Sequence, residues 1–342
     1  MSPTQSLQVI GFAPETVFGT FVAPTKFLPG IATPQDAVTV TQPTQSRGTR
    51  SQVLDVATQL TAGIQLSGEL IPEVMSTLIA GWFGTGSDAK TGSAGAGYTH
   101  TLTPQNGCPS YSIEVDNDVY TQVLARRIVG NIIDQFTLTL SAAQIATMQF
   151  NTIAQRESTP ATPGLPSNPT PAITTLQPMD FSLVAASLAG TSTTSLIDAT
   201  LTGTNQTQRV QASNGQLYVT RLQPTQRKVT FSTTLDFIGA GSDPAAGTGV
   251  YTFWSGVAAG GSGGFIGAGG FQLALVTANN IPGTSNPYKV LFNLPTLRPQ
   301  DQYTINAASD VLQQQLAWSV TQGSAANEIN AVIVNSESSA LA

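Results

Sequence analysis

The sequence predicts a mainly β protein made of two duplicated modules, each a small β-sandwich or barrel with one short flanking α-helix. Three observations predict it. Apolar residues alternate with Thr and Ser over several short runs, the period-two signature of a strand with one buried face. Aromatics are plentiful (14 Phe, 7 Tyr and 3 Trp) while charged residues make up 9% of the 342, far below the roughly 25% of an average globular chain. A chain so supplied with apolar side chains folds rather than staying disordered. Finally, the chain repeats itself at a fixed offset: a shift of 301 − 134 = 167 residues sets Asp134-Gln135-Phe136-Thr137 over Asp301-Gln302-Tyr303-Thr304. In the same register Ser46 and Gly48 fall on Ser213 and Gly215, Thr58 and Gln59 on Thr225 and Gln226, and Glu69 on Asp236. Val123 and Leu124 fall on Val290 and Leu291, and Gln155 on Gln322. Only the Gly-rich stretches need local gaps, as surface loops would.

The repeat divides the chain into a first module over residues 1–155, a Pro-rich linker over 156–178 and a second module over 179–342. An N-terminal arm occupies residues 1–30. A strand over Ile64–Leu70 leads into a helix over Pro72–Phe83, which starts with proline near its first turn and Glu73 at the positive end of the dipole. Val74, Leu78, Ile79 and Trp82 fall on one face of that helix, and Gly84 ends it. Strands follow over Tyr98–Thr103, after a Gly-rich loop, and through Phe136, Leu138 and Leu140, which alternate with Thr137 and Thr139. In the linker Pro160, Pro163, Pro166 and Pro169 recur every third residue, the period of polyproline II, followed by Pro171 and Pro178. Such a stretch reaches on the order of 60 Å and serves either as a spacer or as an arm lying on a neighbouring copy. In the second module Val229, Phe231, Leu235 and Phe237 alternate with polar residues. The spacing of Val250, Phe253, Trp254 and Val257 predicts a second helix over Gly249–Val257, before the Gly-rich run Gly260–Gly270.

Charge excludes several functions. A net charge of −6 leaves no basic field to hold nucleic acid by counterion release, so tight DNA or RNA binding is not expected, although a mildly acidic protein can sit beside DNA without gripping it. The scarcity of charge implies a surface buried against other copies or polar without charge, and two similar modules suit symmetric assembly. The polar but uncharged faces of the strands are a weak defence against edge pairing, which implies edges paired with other subunits. Cys108 is the single cysteine, so neither an intrachain disulfide nor a Cys-based metal site is expected. Met1 to Gln8 lacks the basic start and apolar run of an export signal, and nowhere do about 18 apolar residues follow one another. The chain is therefore expected to be made in a cytoplasm and not to enter a membrane.

Residues for catalysis are few. His100 is the single histidine, and its place on a strand reads as a surface or interface residue rather than a catalytic base. The carboxylates show no metal-loop spacing, so no catalytic, cofactor or metal residue is assigned. The segment Gly84-Thr85-Gly86-Ser87-Asp88-Ala89-Lys90-Thr91 approaches a phosphate loop, but Ala89 stands where the final glycine is required. Gly260–Gly270 contains no dinucleotide-binding fingerprint and reads as a surface loop. Asn205-Gln206-Thr207 is a glycosylation sequon by arithmetic alone.

The segment Gly11-Phe12-Ala13-Pro14-Glu15-Thr16-Val17-Phe18-Gly19-Thr20, followed by Pro24, Phe27, Leu28 and Pro29, resembles the opening of the tail tube (major tail) proteins of long-tailed, siphovirus-type bacteriophages. Those proteins often begin G-x-x-x-E-x-x-aromatic-G-T-x-x-x-P. The tract Arg47-Gly48-Thr49-Arg50, the strand ending Gly68-Glu69-Leu70 and the Pro-started helix follow in the same order. The resemblance is specific over about the first 85 residues and architectural beyond them. It implies tail-tube-like β modules closing into rings of six around a lumen, the rings stacking into a tube that surrounds the tape measure protein and conducts double-stranded DNA during ejection. It also implies tail tip and tail terminator proteins as partners, assembly in the host cytoplasm, a place in the virion and no enzymatic role. With two modules per chain, three copies complete a pseudo-sixfold ring; a hexamer is the alternative if one module alone lines the lumen. Glu69 and Asp236 are the lumen candidates, or else solvated strand ends on the outer surface. Arg47, Arg50, Pro160, Pro163, Pro166 and Pro169 are the candidates for contacts between subunits or rings. The rival reading is a trimeric β-rich virion protein that binds a receptor or carbohydrate.

Overall fold

A computed structural model describes residues 8–41, 55–119, 122–158, 165, 176–212, 215–236, 270–306, 312–322 and 327–341. Strands in the first half are β1 (Gln8–Pro14), β2 (Lys26–Leu28), β3 (Ile31–Pro34), β4 (Ala37–Thr41), β5 (Val56–Thr61) and β6 (Ile64–Glu69). Helix α1 (Pro72–Phe83) precedes β7 (Asp88–Ser93), β8 (Gly97–Leu102), β9 (Tyr111–Val119), β10 (Gln122–Ser141), β11 (Thr147–Ile153) and β12 (Arg156–Ser158). The second half holds β13 (Val184–Leu188), β14 (Thr191–Thr193), β15 (Leu196–Thr204), β16 (Gln208–Val210), β17 (Arg221–Gln223) and β18 (Lys228–Asp236). It ends with β19 (Phe271–Asn280), β20 (Pro287–Leu294), β21 (Leu297–Asn306), β22 (Gln313–Val320) and β23 (Asn330–Asn335). The expected helix over 249–257 and the Gly-rich run from 260 to 269 lie outside the described residues.

The architecture is a layered β fold with no closed barrel among the described residues, and its backbone is the order β3-β6-β11-β10-β15-β18-β22-β21. This order contains the repeat. In the first set Ala32 faces Leu66 and Pro34 faces Ile64; in the second Ala199 faces Thr233 and Leu201 faces Phe231. Each partner is displaced by 167 (199 − 32, 233 − 66). Glu69 pairs with Thr147, and Asp236 with Gln313. Here the strands β6 and β18 keep the offset of 167, whereas β11 and β22 differ by 313 − 147 = 166. One residue fewer therefore separates β21 from β22 than β10 from β11. The sets meet where β10 pairs with β15, from Gln135↔Thr204 to Ser141↔Asp198.

Strand β10 belongs to two layers. Its first part pairs with β9 and β12, its last part with β11 and β15. A second layer runs β14-β13-β19-β20-β23-β8-β7, so strands from residues 88–102 extend a sheet of the second half. The halves do not bury separate cores. One apolar cluster joins Ile10, Leu66 and Phe136 to Phe231, Phe292 and Ile333.

Helix α1 lies inside this cluster, where the sequence led one to expect a single apolar face. Every residue of it except Glu73 is buried. Two of its buried polar side chains have partners from elsewhere in the chain: Lys26 Nζ donates to Thr77 Oγ1 at 2.8 Å and Asn335 Nδ2 to Ser76 Oγ at 3.2 Å. Gly84 ends the helix at φ +113°, where a Cβ would stand 2.4 Å from the Gly107 carbonyl oxygen, a conformation and a contact that favour glycine. Trp82 packs edge-on against Phe136 at 4.7 Å, and Phe136 stacks on Phe292 at 5.9 Å.

Gly203 on β15 lies against this aromatic group. A Cβ there would stand 2.5 Å from both Phe136 Cε1 and Trp82 Cζ2, and both rings are fully buried. Gly203→Ala is expected to destabilise the fold by about 1–3 kcal/mol through overpacking. Denaturant titration tests this: the midpoint should fall with the slope unchanged.

Candidate assembly surfaces

The N-terminal signature has a structural role. Glu15 follows β1, and its carboxylate accepts four hydrogen bonds: from Gly19 N (2.8 Å), Ser110 Oγ (2.7 Å), Ser112 Oγ (2.9 Å) and Gly130 N (2.8 Å). Gly130 has φ +68° and sits at the register break between Ile128 and Asn131, where β10 passes from one layer to the other. Asn131, fully buried, holds the far side of the break by donating to the Tyr111 and Ile128 carbonyls at 3.0 and 2.7 Å. Glu15 and Gly19 of the signature thus belong to the clamp that holds the break in β10.

The face of the long sheet turned away from the core is almost free of charge. Gln65 and Ser67 on β6, Gln149 and Asn151 on β11, and Gln135, Thr137 and Thr139 on β10 are half-buried or exposed and alternate with core residues. Thr200, Thr202 and Thr204 on β15, Thr230, Ser232 and Thr234 on β18, and Gln315 and Ser319 on β22 continue the face. A groove of about 570 Å³ lies over its first strand set, lined by Ile31, Ser67, Glu69, Thr137, Thr139 and Gln149 among others. Charges stand at its ends. Glu69 and Asp236 each end a strand with the parity of the polar face, while at the opposite end Lys228 begins β18 on the same parity and exposed Arg298 on β21 pairs with Ser319 of that face. Asp198, paired with Ser141 and Thr234, is a third acid near the acidic end. Sequence reasoning missed it because the repeat sets Asp198 against Ile31, so the offset search for matching acids passed over it.

A second surface is the hairpin of β4 and β5, which among the described residues form a two-stranded sheet of their own, tied to the rest by one bridge from Leu60 to Tyr218 and by the Leu60 N–H donating to the Leu217 carbonyl at 2.9 Å. Every residue of β4 is exposed, and Val38, Val40 and Val56 are bare apolar side chains on it. A two-stranded hairpin has little stability of its own in water. Arg47 and Arg50 fall in the connection between its strands, outside the described residues. Pro160, Pro163, Pro166 and Pro169 also lie outside them, although Leu165 between them bonds through its backbone to Asp116. At the base of the hairpin Arg126 binds the carboxylates of both Glu157 and Asp36.

One expectation is corrected. His100 is not a surface or interface residue but fully buried, because it shares the core-facing parity of β8 with Leu102. Its Nδ1 lies 2.6 Å from Asp88 Oδ2 and its Nε2 3.0 Å from the Glu337 carbonyl oxygen. The sequon asparagine is also inside the protein, with Asn205 Nδ2 donating to the carbonyls of Ile133 and Trp82. Lys90, of the rejected phosphate-loop match, stands on strand β7 above the Tyr98 ring. Among the described residues no group of three His, Cys, Asp or Glu side chains could hold a metal ion, and no helix is long and apolar enough to cross a membrane.

A family model described as phage tail tube protein matches residues 5–319. The chain belongs to the phage tail tube protein family. No curated protein sequence matches it. As a tail tube protein it is a structural component of the virion tail, in a family whose members self-assemble into the tube and associate with other tail proteins. The β-rich fold and the N-terminal signature agree with that membership.

Two expectations follow for this tail tube protein. Glu15→Gln replaces an acceptor for four donors by a group with a single acceptor oxygen, and is expected to cost about 2–3 kcal/mol, read as a lowered denaturation midpoint. The second concerns pH. Burial, and then the neighbouring Glu114, push the Asp116 carboxyl from 3.8 up to about 6; burial and Glu157 do the same for Asp36. A carboxyl raised on folding binds its proton more tightly in the native state, so its contribution is complete below the unfolded value and is lost as pH rises through about 6. Asp116→Asn removes that loss. Its stability relative to the unsubstituted chain is expected to improve between about pH 4 and pH 7, and a constant difference would refute the assignment.

Proposed function

We propose that three copies of this chain close a pseudo-sixfold ring whose lumen is the polar, charge-poor face of the long sheet. Stacked rings form the tail tube around the tape measure protein and later conduct DNA. One observation carries this reading: that face is built from two strand sets with the same pairing, each ending in an acid at the same place, Glu69 in one and Asp236 in the other. Two such sets per chain supply six from three copies.

The chemistry of the face suits the task. Thr, Ser, Gln and Asn hydroxyls and amides hydrate well over most of the face and offer DNA phosphates no cation there, the cations Lys228 and Arg298 standing only at the end away from Glu69 and Asp236. Glu69, Asp236 and Asp198 at one end repel phosphates within about one Debye length, roughly 8–10 Å at ordinary salt. Asp198 has no acidic counterpart in the first set, so the acidic rim has threefold rather than sixfold symmetry. The exposed hairpin of β4 and β5 has apolar surface to cover and reaches the neighbouring ring, with Arg47 and Arg50 in its connection. The Pro160–Pro169 segment is the further reach toward neighbouring copies, and tail tip and terminator proteins contact the ends of the tube.

Electron cryomicroscopy of assembled tubes tests the stoichiometry: three chains per ring are expected, and six would overturn the trimer. Replacing Glu69 and Asp236 together with Lys is expected to leave tubes intact and to slow DNA ejection, because a basic rim holds the phosphate backbone. Normal ejection from that variant, or both side chains on the outer wall, would remove them from the lumen.

A further inference from the structure

We propose that the open edge of β3 receives strand β21 of a second copy, in the register that β10 already uses with β15, and that Gln8 covers this edge until the second copy arrives. The proposal rests on the ring reading above and specifies its closure.

Within the chain, the strand sets join at β10 and β15, where partner numbers sum to 339: Leu138 faces Leu201 and Thr139 faces Thr200. The offset of 167 carries β10 onto β21 and β15 onto β3, and adding it to one partner while subtracting it from the other leaves the sum unchanged. Ile305 of one copy therefore faces Pro34 of the next, and Asn306 faces Thr33. Among the described residues β21 pairs only with β22 and β3 only with β6. Ile305 is 47% exposed, whereas Leu138, its counterpart, is fully buried at the internal seam. The open edge leaves uncovered a side chain that the seam covers.

The backbone has the same phase at both places. Asn205 N donates to Asp134 O across the seam, which by alternation turns Leu201 and Ala199 toward β10. Gln35 N donates to Gly63 O at 2.9 Å, so Gln35 and Thr33 face β6 while Pro34 and Ala32, the counterparts of Leu201 and Ala199, face outward.

The outward groups are already covered. Gln8 on β1 donates from Nε2 to Ala32 O at 3.1 Å and accepts from Ala32 N at Oε1 at 2.7 Å, offering the two groups that a peptide of the next strand would offer. Asn117 holds that amide in place, accepting from the same Nε2 at 2.9 Å. Pro34 has no N–H to present. A side-chain amide and a proline are means of blunting an edge strand. Here they keep a free subunit from pairing prematurely, and the incoming β21 displaces Gln8.

Thr33→Cys with Asn306→Cys in a Cys108→Ser background tests the register. Thr139 and Thr200 show that this is a pair without mutual hydrogen bonds, in which Cβ atoms come closest. Oxidising tubes assembled from the purified full chain is expected to give a covalent ladder ending at three chains, with little product from Thr33→Cys paired with Thr304→Cys. Tubes that form yet do not cross-link would overturn the edge pairing and leave the ring reading standing. A cross-linked ladder ending at six would overturn the trimer and keep the edge. Gln8→Ala, in an otherwise unsubstituted chain, is expected to shorten the lag of assembly by on the order of tenfold, the effect of releasing two hydrogen bonds; an unchanged or longer lag removes Gln8 from the role.

Discussion

The fold depends on the turn that β10 makes at Gly130 and on the Glu15 carboxylate that holds it. Before that point the strand pairs with β9 and β12; after it, with β11 and β15. One strand thereby serves two layers, and the break between them leaves backbone groups that need partners inside the protein. Glu15 binds the freed Gly130 N–H together with Gly19 N and two serine hydroxyls, while Asn131 satisfies the carbonyls beside it. The second half makes the corresponding change of layer differently. There β20 ends at Leu294, Pro295 and Thr296 intervene, and β21 continues in the other sheet. Proline cannot donate to a ladder, so it interrupts pairing without a carboxylate to hold the bend.

The second constraint is the buried helix, which makes the two halves one body. Alpha-helical dipoles favour a cation at the C-terminal end, and α1 has no basic residue in its last turn. Arg227, from the second half, supplies it: it donates to the Phe83 carbonyl at 3.3 Å and to the Gln105 carbonyl at 2.9 Å, and stands 5.0 Å over the Trp82 ring. Trp82 in turn packs against Phe136 and abuts Gly203 at the internal seam. Strands β8 and β7 then add to β23, so residues from both sides of the Pro-rich segment contribute to one sheet. For a tube component this matters mechanically. A seam within the chain that is held by a helix, an arginine and a shared core makes one body of the two halves.

Much of this was legible in local pattern. Strands such as Val229–Leu235 and Phe136–Leu140 were visible because burial of one face imposes a period of two. The bounds of α1 were visible because Pro72 and Gly84 are read from backbone chemistry alone. The offset of 167 was visible because paired strand sets keep their spacing, and the ladders reproduce it to within one residue. What could not be read were properties of neighbours. His100 read as a surface residue because one polar residue on a strand carries no record of Asp88 or of the Glu337 carbonyl that enclose it. Asp198 escaped notice because its counterpart is Ile31, and only the parity of β15 places it on the polar face.

By itself, then, the sequence determined the β class, the one described helix, the doubling of a strand set, the near absence of charge and the family, since each follows from residue type and short-range spacing. The tertiary structure alone decided which strands are neighbours: that β10 meets β15, that β8 meets β23, and that Gln8 lies on the edge of β3. The physical reason is that a strand pairs through backbone groups common to every residue except proline. Its sequence specifies which face is buried, whereas its partner is chosen by the packing of the whole chain.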